Sequence, residues 1–312
     1  MNTNSLTLNL GSACNNNCIF CVRGDNVSVA SVDFHAIRHT LNKFHSKYHF
    51  LKITGGEPTL HRDIVGILAL AQELHYVVSM ETNARMLADK EFSRSIAHFK
   101  PEIVTHLESH LPSKHDIMTR TPGSFMQTVT GIKQQVKHGV SVSVKIMILE
   151  YNYRDLLSIS KLLVKLRVNR VLFVFLDPGG FARKFFRIIS PRYNQVRPFL
   201  STAVSWLQKN TSLAVQFENF PACCIEPEYI VLENQRMHQN DGFAVGTLPL
   251  RDQIALYVPS VERRKKKIKN AACLTCGYFD SCEGVYLEYI DHFGWEEFNP
   301  VLYPCKKVPV MI

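Results

Sequence analysis

Three cysteines lie close together near the start of the chain, at Cys14, Cys18 and Cys21. This CxxxCxxC spacing lets a short loop bring three thiolates to one point, where they can bind a metal centre. A structural zinc site takes four protein ligands, and the closest histidine in the sequence is His35. Four-iron clusters are also held by thiolates, usually four of them. Three thiols therefore indicate a cluster with one iron open to a substrate or cofactor.

A second group of six cysteines begins after a gap without cysteine from residue 22 to residue 222. An odd total of nine, in a chain without a secretory signal, argues against a disulfide framework and favours metal or cluster binding. On chemistry alone, zinc and an iron–sulfur cluster both remain open for this group. Its members are Cys223, Cys224, Cys273, Cys276, Cys282 and Cys305.

Short apolar runs alternate with segments of helical period from residue 5 to about residue 177. This alternation predicts an α/β fold with a parallel sheet covered by helices, and six units predict a partial (β/α)6 TIM-like barrel. Strands are predicted at Ser5–Leu10, His49–Thr54, Tyr76–Glu81, Glu102–Leu107, Ser141–Leu149 and Arg170–Leu176. Helices are predicted at Phe34–Lys47, Ile64–Leu74, Lys90–Phe99, Ser124–His138 and Arg154–Leu166.

Unusual residues fall where these strands end, and chemistry in such barrels gathers at the carboxyl ends of the strands. The first cysteine set follows the first strand, and polar or glycine-rich segments follow the others. They are Gly55–Pro58, Glu81–Asn83, Glu108–Ser109 and Asp177–Gly180, with Lys145 inside the fifth strand. Nearby histidines at 106, 110 and 115 are interpreted as hydrogen-bonded core or loop residues.

The pattern changes after Gly180, and a smaller C-terminal domain is predicted there. A helix over about Tyr193–Lys209 and a strand over Leu213–Phe217 lead into the second cysteine group. We therefore expect one domain over residues 1–190 and a cluster-binding domain over 191–312. A length of 312 residues with 46% hydrophobic content suffices for a large core.

The formal charge is +9 at pH 7. The one dense basic run, from Arg263 to Lys269, is interpreted as a solvated linker or helix face in preference to an anion-binding patch. A nucleic-acid partner is therefore not favoured. The sequence has no window of membrane-span length and no signal peptide, so we expect no membrane association and a cytoplasmic location.

The motifs at the first three strand ends resemble those of a known family. Cys14-x3-Cys18-x2-Cys21, with Phe20 before the third cysteine, resembles the signature of radical S-adenosylmethionine (radical SAM) enzymes. Gly55-Gly56-Glu57-Pro58 is similar to the family's glycine-rich GGEP segment, and Thr82-Asn83 also fits. The resemblance implies a four-iron (4Fe–4S) cluster whose fourth iron is chelated by the amine and carboxylate of S-adenosylmethionine.

The resemblance also implies roles for individual residues. The backbone of Gly55–Pro58 would approach the methionyl amine, and Glu57 would orient this loop or act as a structural carboxylate. Thr82, Asn83 and Ser109 would contact the ribose or methionyl groups, or cap helices. A barrel-facing Lys145 would hold the cofactor carboxylate, the alternative being a solvated lysine that points outward. The implied cofactor-binding set is Phe20, Gly55, Gly56, Glu57, Pro58, Thr82, Asn83, Ser109 and Lys145.

The CxxCx5C set at Cys273, Cys276 and Cys282 resembles the auxiliary-cluster domains called SPASM and, in the shorter form, Twitch. That resemblance implies an auxiliary 4Fe–4S cluster, with a structural zinc as the alternative. Cys223 is the preferred fourth ligand. Its rivals Cys224 and Cys305 are also interpreted as small buried hydrophobes.

The resemblance implies reductive cleavage of S-adenosylmethionine to a 5′-deoxyadenosyl radical that abstracts hydrogen from a peptide, a protein side chain or a biosynthetic small molecule. The electron donor would be of the flavodoxin or ferredoxin type. The chain starts almost at its first strand, without a leader-binding segment, which weakens the peptide interpretation. One alternative is modification of RNA or a nucleoside, motivated by the positive charge. Another is an iron–sulfur scaffold or electron carrier without radical chemistry.

Overall fold

The computed structural model describes residues 5–24, 31–230, 232 and 264–302, together with two strands at 244–247 and 254–257. Its main feature is a nine-stranded sheet that helices flank. Seven strands alternate with helices, and two more extend the sheet. The strands are β1 (Ser5–Asn9), β2 (Phe50–Thr54), β3 (Val77–Glu81), β4 (Glu102–His106), β5 (Val142–Ile148), β6 (Arg170–Phe175), β7 (Ala214–Glu218), β8 (Ala244–Thr247) and β9 (Ile254–Tyr257).

The helices confirm the predicted alternation and add short ones that the sequence pattern did not indicate. The longer ones are α1 (Phe34–Phe44), α2 (Ile64–Glu73), α3 (Lys90–Ala97), α4 (Pro112–Thr119), α5 (Ser124–Lys137), α6 (Leu156–Lys165) and α9 (Tyr193–Asn210). The short ones are α7 (Gly180–Lys184), α8 (Phe186–Ile189) and α10 (Leu287–Phe293). Among the described helices, none has both the length and the apolar character that crossing a membrane requires.

The first seven strands are parallel and follow one another across the sheet in the order of the chain. The α/β fold with a partial barrel sheet is therefore confirmed. The run of parallel strands that follow one another in chain order is one strand longer than predicted, because β7 pairs with β6 from Arg170↔Ala214 to Val174↔Glu218. The sequence analysis assigned this segment to the smaller domain. Since α9 returns the chain to the amino end of the sheet, β7 joins the sheet as another βα unit does. The domain boundary at residue 190 stays a prediction.

The far edge of the sheet is built from the C-terminal part of the chain. Strand β8 pairs in parallel with β1, and β9 pairs with β8 in the antiparallel direction. A separate two-stranded ladder joins β10 (Lys267–Ile268) to β11 (Val285–Tyr286). This ladder holds the ends of the segment that contains the CxxCx5C set.

The strands bury one face against the helices and turn the other toward the inside of the curved sheet. On β1, Leu6 and Leu8 are buried, whereas Thr7 and Asn9 between them are only half-buried. This period-two alternation follows from strand geometry. The helices cover the apolar face, and the polar inner face remains for a site.

Charged side chains from four strands meet on the inner face of the sheet. Glu81 on β3 accepts Lys52 from β2 at 2.8 Å and Lys145 from β5 at 2.7 Å. Lys145 also lies 3.8 Å from Glu218 on β7. Flat strands lie about 4.8 Å apart, so side chains from β2 to β7 can share these contacts only because the sheet curves. We call this group the lumen cluster. Burial opposes ionisation of Glu81, but the two lysines hold its pKa well below the usual range.

One helical glycine is fixed by a close approach to a loop. A Cβ on Gly131 in α5 would lie 2.1 Å from the carbonyl oxygen of Ala84. A Cβ on Gly66 in α2 would meet only the Phe34 ring, at 3.6 Å. Helix propensity alone predicts that alanine stabilises both positions. The packing around them instead predicts that alanine destabilises the protein at position 131 and stabilises it at position 66.

We expect Gly131→Ala to lower the free energy of unfolding by about 2 kcal/mol, since backbone must shift to admit the methyl group. Gly66→Ala, the matched control, should raise the same quantity by about 0.5–1 kcal/mol. Urea unfolding followed by circular dichroism measures both values. A stabilised Gly131→Ala protein would contradict the packing argument.

We expect Glu81→Gln to lower the free energy of unfolding at pH 7 by about 1–3 kcal/mol, since it leaves the partly buried Lys52 and Lys145 without the Glu81 carboxylate. The folded-state pKa of Glu81 is lowered, so its contribution is present above the unfolded value of about 4.3. That contribution is lost as pH falls through the folded pKa. The difference in the free energy of unfolding between the wild type and Glu81→Gln should therefore be smaller at pH 3 than at pH 7.

Urea unfolding at pH 7 and pH 3 measures this difference. Glu150→Gln is the control, because Glu150 lies near the surface and forms an ion pair with Arg154 at 3.4 Å. This substitution should cost less than about 0.5 kcal/mol. A Glu81→Gln deficit that is the same at both pH values would rule out the ionic origin.

Candidate functional site

The loop that carries Cys14, Cys18 and Cys21 is fastened to the loop that follows β2. The backbone N–H of Gly56 donates to Gly11 O at 2.8 Å, and the N–H of Glu57 donates to Ala13 O at 2.7 Å. These two bonds continue the parallel pairing of β1 and β2 past the strand ends. The first two predicted motifs therefore form one backbone unit.

Glycine is required at position 56 by this approach. A Cβ there would lie 2.0 Å from Ala13 O and 2.5 Å from Ser12 O, both backbone atoms. Gly55 has φ +152°, and its Cβ would lie 2.8 Å from Gly11 O. Thus the two glycines allow the cysteine loop to lie directly on the second loop.

Glu57 is buried and bridges the loops after β2 and β3. Its Oε1 accepts the Thr59 N–H at 3.0 Å and the hydroxyls of Thr59 and Thr82 at 2.5 Å each, and its Oε2 accepts the Asn83 N–H at 2.6 Å. Burial raises the pKa of Glu57, and the four donors oppose that rise because they favour the carboxylate. Of the two interpretations of Glu57, its contacts favour the structural carboxylate, which also orients the loop.

The polar residues predicted to contact the cofactor all form hydrogen bonds or ion pairs within the protein. The Thr82 hydroxyl accepts the Ala84 N–H at 3.0 Å, and the Asn83 side-chain amide donates to Asn15 Oδ1 at 2.6 Å. The Ser109 hydroxyl accepts the Leu111 N–H at 3.0 Å, in the turn before α4. Lys145 faces the inside of the sheet, as predicted, where its partner is Glu81. Cofactor contacts of these residues stay predictions.

Two arginines that the sequence analysis did not single out hold the asparagines between Cys14 and Cys18. Arg85 donates to Asn15 O and, at 2.9 Å, to Asn16 Oδ1. Arg120 donates to Asn17 O and, at 2.7 Å, to Asn17 Oδ1. The signal in the sequence was the run of three asparagines, whose amide oxygens and exposed backbone carbonyls need donors.

Helices α4 and α7 support the rest of the loop. The N–H groups of Asn17 and Ile19 donate to Thr119 O and Met118 O at 3.1 and 2.9 Å. Beyond the third cysteine, the N–H of Phe181 in α7 donates to Cys21 O at 2.9 Å. The loop conformation is therefore set by contacts more than 60 residues away along the chain.

The three thiols are half-buried in this loop. Burial raises the pKa of Cys14, and burial, Glu108 and the other two thiols raise that of Cys18. Without metal, Cys14 and Cys18 hold their protons, which binding of a metal or cluster would release. Within the described ranges, no three metal-binding side chains converge tightly enough to hold a single metal ion.

A buried carboxylate and a histidine end β4 beside the cysteine loop. Glu108 lies 3.1 Å from Nδ1 of His106, and its Oε2 accepts the Met147 N–H at 2.7 Å. Burial raises the pKa of Glu108, and burial lowers that of His115 to about 4. The Phe20 ring is buried, with its centroid 6.1 Å from that of His106. The prediction that these histidines are hydrogen-bonded agrees with the contacts of His106 and of His115, whose Nδ1 accepts the Glu108 N–H at 3.2 Å. It does not hold for His110, whose buried Nδ1 has no hydrogen-bond partner among the described residues.

Four members of the second cysteine group line one pocket. Its lining includes Cys223, Cys273, Cys276 and Cys282, with Trp295 and Phe298 on the apolar side. Cys224 does not line this pocket and is buried in the core, 4.0 Å from Cys223 between the sulfurs. A hydrogen bond from Cys224 lowers the pKa of Cys223, whereas burial raises the pKa of Cys224 well above its usual value. Cys305 lies outside the described residues.

The basic run before this pocket is tied to the protein. Lys267 lies 2.8 Å from Glu283 and 3.2 Å from Asn219 Oδ1, and Lys269 donates to Phe279 O. Arg264 lies 3.6 Å from Glu283. The described part of the run is therefore anchored around the second cysteine group and is more than a solvated linker.

Known proteins that are similar to this chain support the interpretation of the motifs at the first three strand ends. The model of the Radical SAM superfamily matches residues 8–163, which is half of the chain. A probable GTP 3′,8-cyclase of Saccharolobus solfataricus is 30% identical over 190 residues, covering 58% of this chain. An Fe-coproporphyrin III synthase of Methanosarcina barkeri is 23% identical over 178 residues, covering 55% of this chain and 44% of that protein. The chain spans about 60% of the length of the cyclase relative.

Solved structures share the fold over nearly the whole chain. SuiB of Streptococcus suis bound to S-adenosylmethionine has a TM-score of 0.69 at 16% identity, covering 95% of this chain and 76% of SuiB. The protein anSMEcpe with bound AdoMet has a TM-score of 0.64 at 14% identity, covering 96% of this chain and 93% of that one. Fold, cysteine signature and family match agree: the chain belongs to the radical SAM superfamily, whose enzymes use a 4Fe–4S cluster and S-adenosylmethionine.

Proposed function

We propose that this chain cleaves S-adenosylmethionine reductively, with the cluster held by Cys14, Cys18 and Cys21. The observation that carries the proposal is the backbone union of the cysteine loop with the Gly55–Pro58 loop, through Gly56 N–H to Gly11 O and Glu57 N–H to Ala13 O. Cys14, Cys18 and Cys21 would hold a cluster that could supply one electron to S-adenosylmethionine, and the cleavage would give methionine and a 5′-deoxyadenosyl radical for hydrogen abstraction from the substrate. The protein's part is to position the reactants and exclude water.

The chain's own residues fix the site before any cofactor binds. Glu57 locks the loops after β2 and β3 together through four accepted hydrogen bonds. Arg85 and Arg120 hold the asparagines between the cysteines. Because the loop is already ordered, less binding free energy is lost in ordering it when a ligand binds. These contacts support Gly55–Pro58, Thr82 and Asn83 as the surroundings of the cofactor. Phe20 and Ser109 are the other proposed members of that set.

Lys145 in the lumen cluster is the proposed partner of the cofactor carboxylate or of a polar substrate group. It sits between Glu81 at 2.7 Å and Glu218 at 3.8 Å. A ligand carboxylate would therefore compete with two protein carboxylates. A ligand that binds Lys145 through a carboxylate would therefore be favoured if it also carried a positive group that pairs with Glu218.

We further propose an auxiliary 4Fe–4S cluster in the C-terminal part of the chain, in the domain predicted over residues 191–312. Its ligands are Cys223, Cys273, Cys276 and Cys282, which line one pocket. Thiolate ligation suits both zinc and iron–sulfur clusters, and the superfamily context favours iron–sulfur. The apolar lining by Trp295 and Phe298 would keep water from the cluster.

The proposed substrate is a peptide, a protein side chain or a biosynthetic small molecule. Support for a peptide is the fold shared with SuiB bound to its precursor peptide SuiA, at a TM-score of 0.67 over 97% of this chain. A second candidate, a nucleotide or nucleoside, is supported by the 30% identity to a probable GTP 3′,8-cyclase. We also infer an electron donor of the flavodoxin or ferredoxin type. A cytoplasmic location stays a prediction.

The first test is anaerobic reconstitution with iron and sulfide. We expect about eight irons per chain, as two four-iron clusters, and 5′-deoxyadenosine from S-adenosylmethionine after reduction with dithionite. Replacing Cys14, Cys18 and Cys21 together with alanine should abolish this product and leave about half of the iron. Adding GTP or a peptide pool separately, and scoring which one accelerates product formation, separates the two substrate classes.

Absence of 5′-deoxyadenosine from the reconstituted, reduced protein would contradict the enzymatic proposal and favour a scaffold or electron carrier. Zinc in place of the second set of irons would contradict the auxiliary cluster alone.

The fourth ligand can be tested with two adjacent residues. Cys223→Ser should alter the electron paramagnetic resonance signal of the auxiliary cluster and lower its iron content, because this side chain lines the pocket. Cys224→Ser is the matched control and should retain the iron, since its sulfur is buried outside that lining. The reverse pattern would assign Cys224 as the ligand, and retention in both variants would point to Cys305.

A further inference from the structure

Basic side chains surround the outer side of the first cysteine loop. Arg85 and Arg120 hold Asn15, Asn16 and Asn17 from two sides. The guanidinium of each is bound by neutral amide and carbonyl oxygens of the loop, so the positive charge of each is not cancelled there. The loop therefore lies in a positive field.

The same surface continues from Arg120 onto α7 and α8. The Arg120 guanidinium stacks over the rings of Phe181 and Phe185, 4.4 and 5.5 Å from their centroids. Lys184 also lies over the Phe185 ring, with its Nζ 5.8 Å from the ring centroid. Arg187 follows on α8, and both Lys184 and Arg187 are exposed. We call Arg85, Arg120, Lys184 and Arg187 the basic face.

None of these four cations has a carboxylate within ion-pair distance in the part of the chain that the structure describes. The neighbouring Arg183 differs, because it pairs with Glu288 at 3.1 Å. The basic face is thus a local excess of four positive charges beside the loop.

Exposed apolar side chains lie among these cations. Val22, next to Cys21, is 50% exposed and its backbone contacts Gly179 before α7. Ile117 on α4, one turn before Arg120, is 61% exposed, and Ile188 on α8 is 62% exposed. Large apolar groups bordered by charges of one sign are typical of docking sites.

We propose that the basic face is the docking site of an acidic one-electron carrier that reduces the cluster on Cys14, Cys18 and Cys21. The proposal rests on the proposed function, which requires an electron at this loop. Arg85 and Arg120 bind the asparagines between Cys14 and Cys18, so a carrier docked on the basic face would lie against the loop that would hold the cluster. The four uncompensated cations select a negatively charged partner and accelerate its encounter. The carrier loses one electron, the oxidised cluster gains it, and no atom is transferred.

The test compares two reductants of the reconstituted full chain. One is flavodoxin in its hydroquinone form, which is an acidic carrier, and the other is dithionite, which needs no docking. The variant is Lys184→Glu/Arg187→Glu, which reverses two exposed cations outside the cysteine loop. The control is Lys43→Glu/Lys165→Glu, with the same change of net charge. Its two positions end α1 and α6, which return the chain to the opposite end of the sheet.

We expect the Lys184→Glu/Arg187→Glu variant to be reduced by flavodoxin at least tenfold more slowly than the wild type at low ionic strength. The difference should narrow at 0.5 M salt, where the charges are screened. Reduction by dithionite, and the 5′-deoxyadenosine that it supports, should be unchanged. The reduction rate of the control variant should fall by less than twofold with either reductant.

Equal flavodoxin rates in variant and control would overturn the docking site. An equal loss with dithionite would also overturn it, because the substitutions would then damage the cluster itself. If the variant instead loses binding to a single-stranded RNA oligonucleotide and keeps its flavodoxin rate, the face belongs to nucleic acid and the proposal is wrong. Failure of dithionite-driven cleavage in the wild type would refute the proposed function separately.

Discussion

The buried residue Glu57 joins the loops that follow β1, β2 and β3. It takes four hydrogen bonds from Thr59, Thr82 and Asn83, while its own backbone N–H holds the cysteine loop at Ala13. A buried carboxylate is costly unless such donors surround it. The ends of β1, β2 and β3 are consequently fixed relative to each other. The placement of the three thiols depends on this junction more than on the cysteine spacing.

Support from the other side of the loop comes from α4 and α7. Arg120 is central, since it ends α4 in the left-handed conformation at φ +50°, binds Asn17 and stacks on the aromatic pair of α7. One side chain thus links the cysteine loop, a barrel helix and the segment after β6. The same contacts hold its charge at the surface, so the role in positioning and the role in docking arise from one arrangement.

Inside the sheet, the compensated lumen cluster contrasts with the uncompensated basic face. Lys52 and Lys145 share Glu81, which favours a polar interior of nearly balanced charge. A ligand entering there exchanges existing ion pairs for new ones, so its own charges must match. The second cysteine pocket differs again, because aromatic side chains cover it. The chain therefore keeps its two cysteine sites in different surroundings, one polar and one apolar.

The sequence by itself determined the strand–helix alternation, the strand ends that carry the motifs, and the superfamily, because these depend on local periodicity and short spacings. It predicted six parallel strands to within one residue at each end and a strand at β7. It did not show that β7 extends the parallel sheet, since pairing with β6 is a long-range contact. Only the tertiary structure decided that Lys145 meets Glu81, that Cys223 and not Cys224 faces the second pocket, and that Arg85 and Arg120 hold the asparagines. Each of these depends on side chains far apart in sequence that meet only when the sheet curves and the loops close over it.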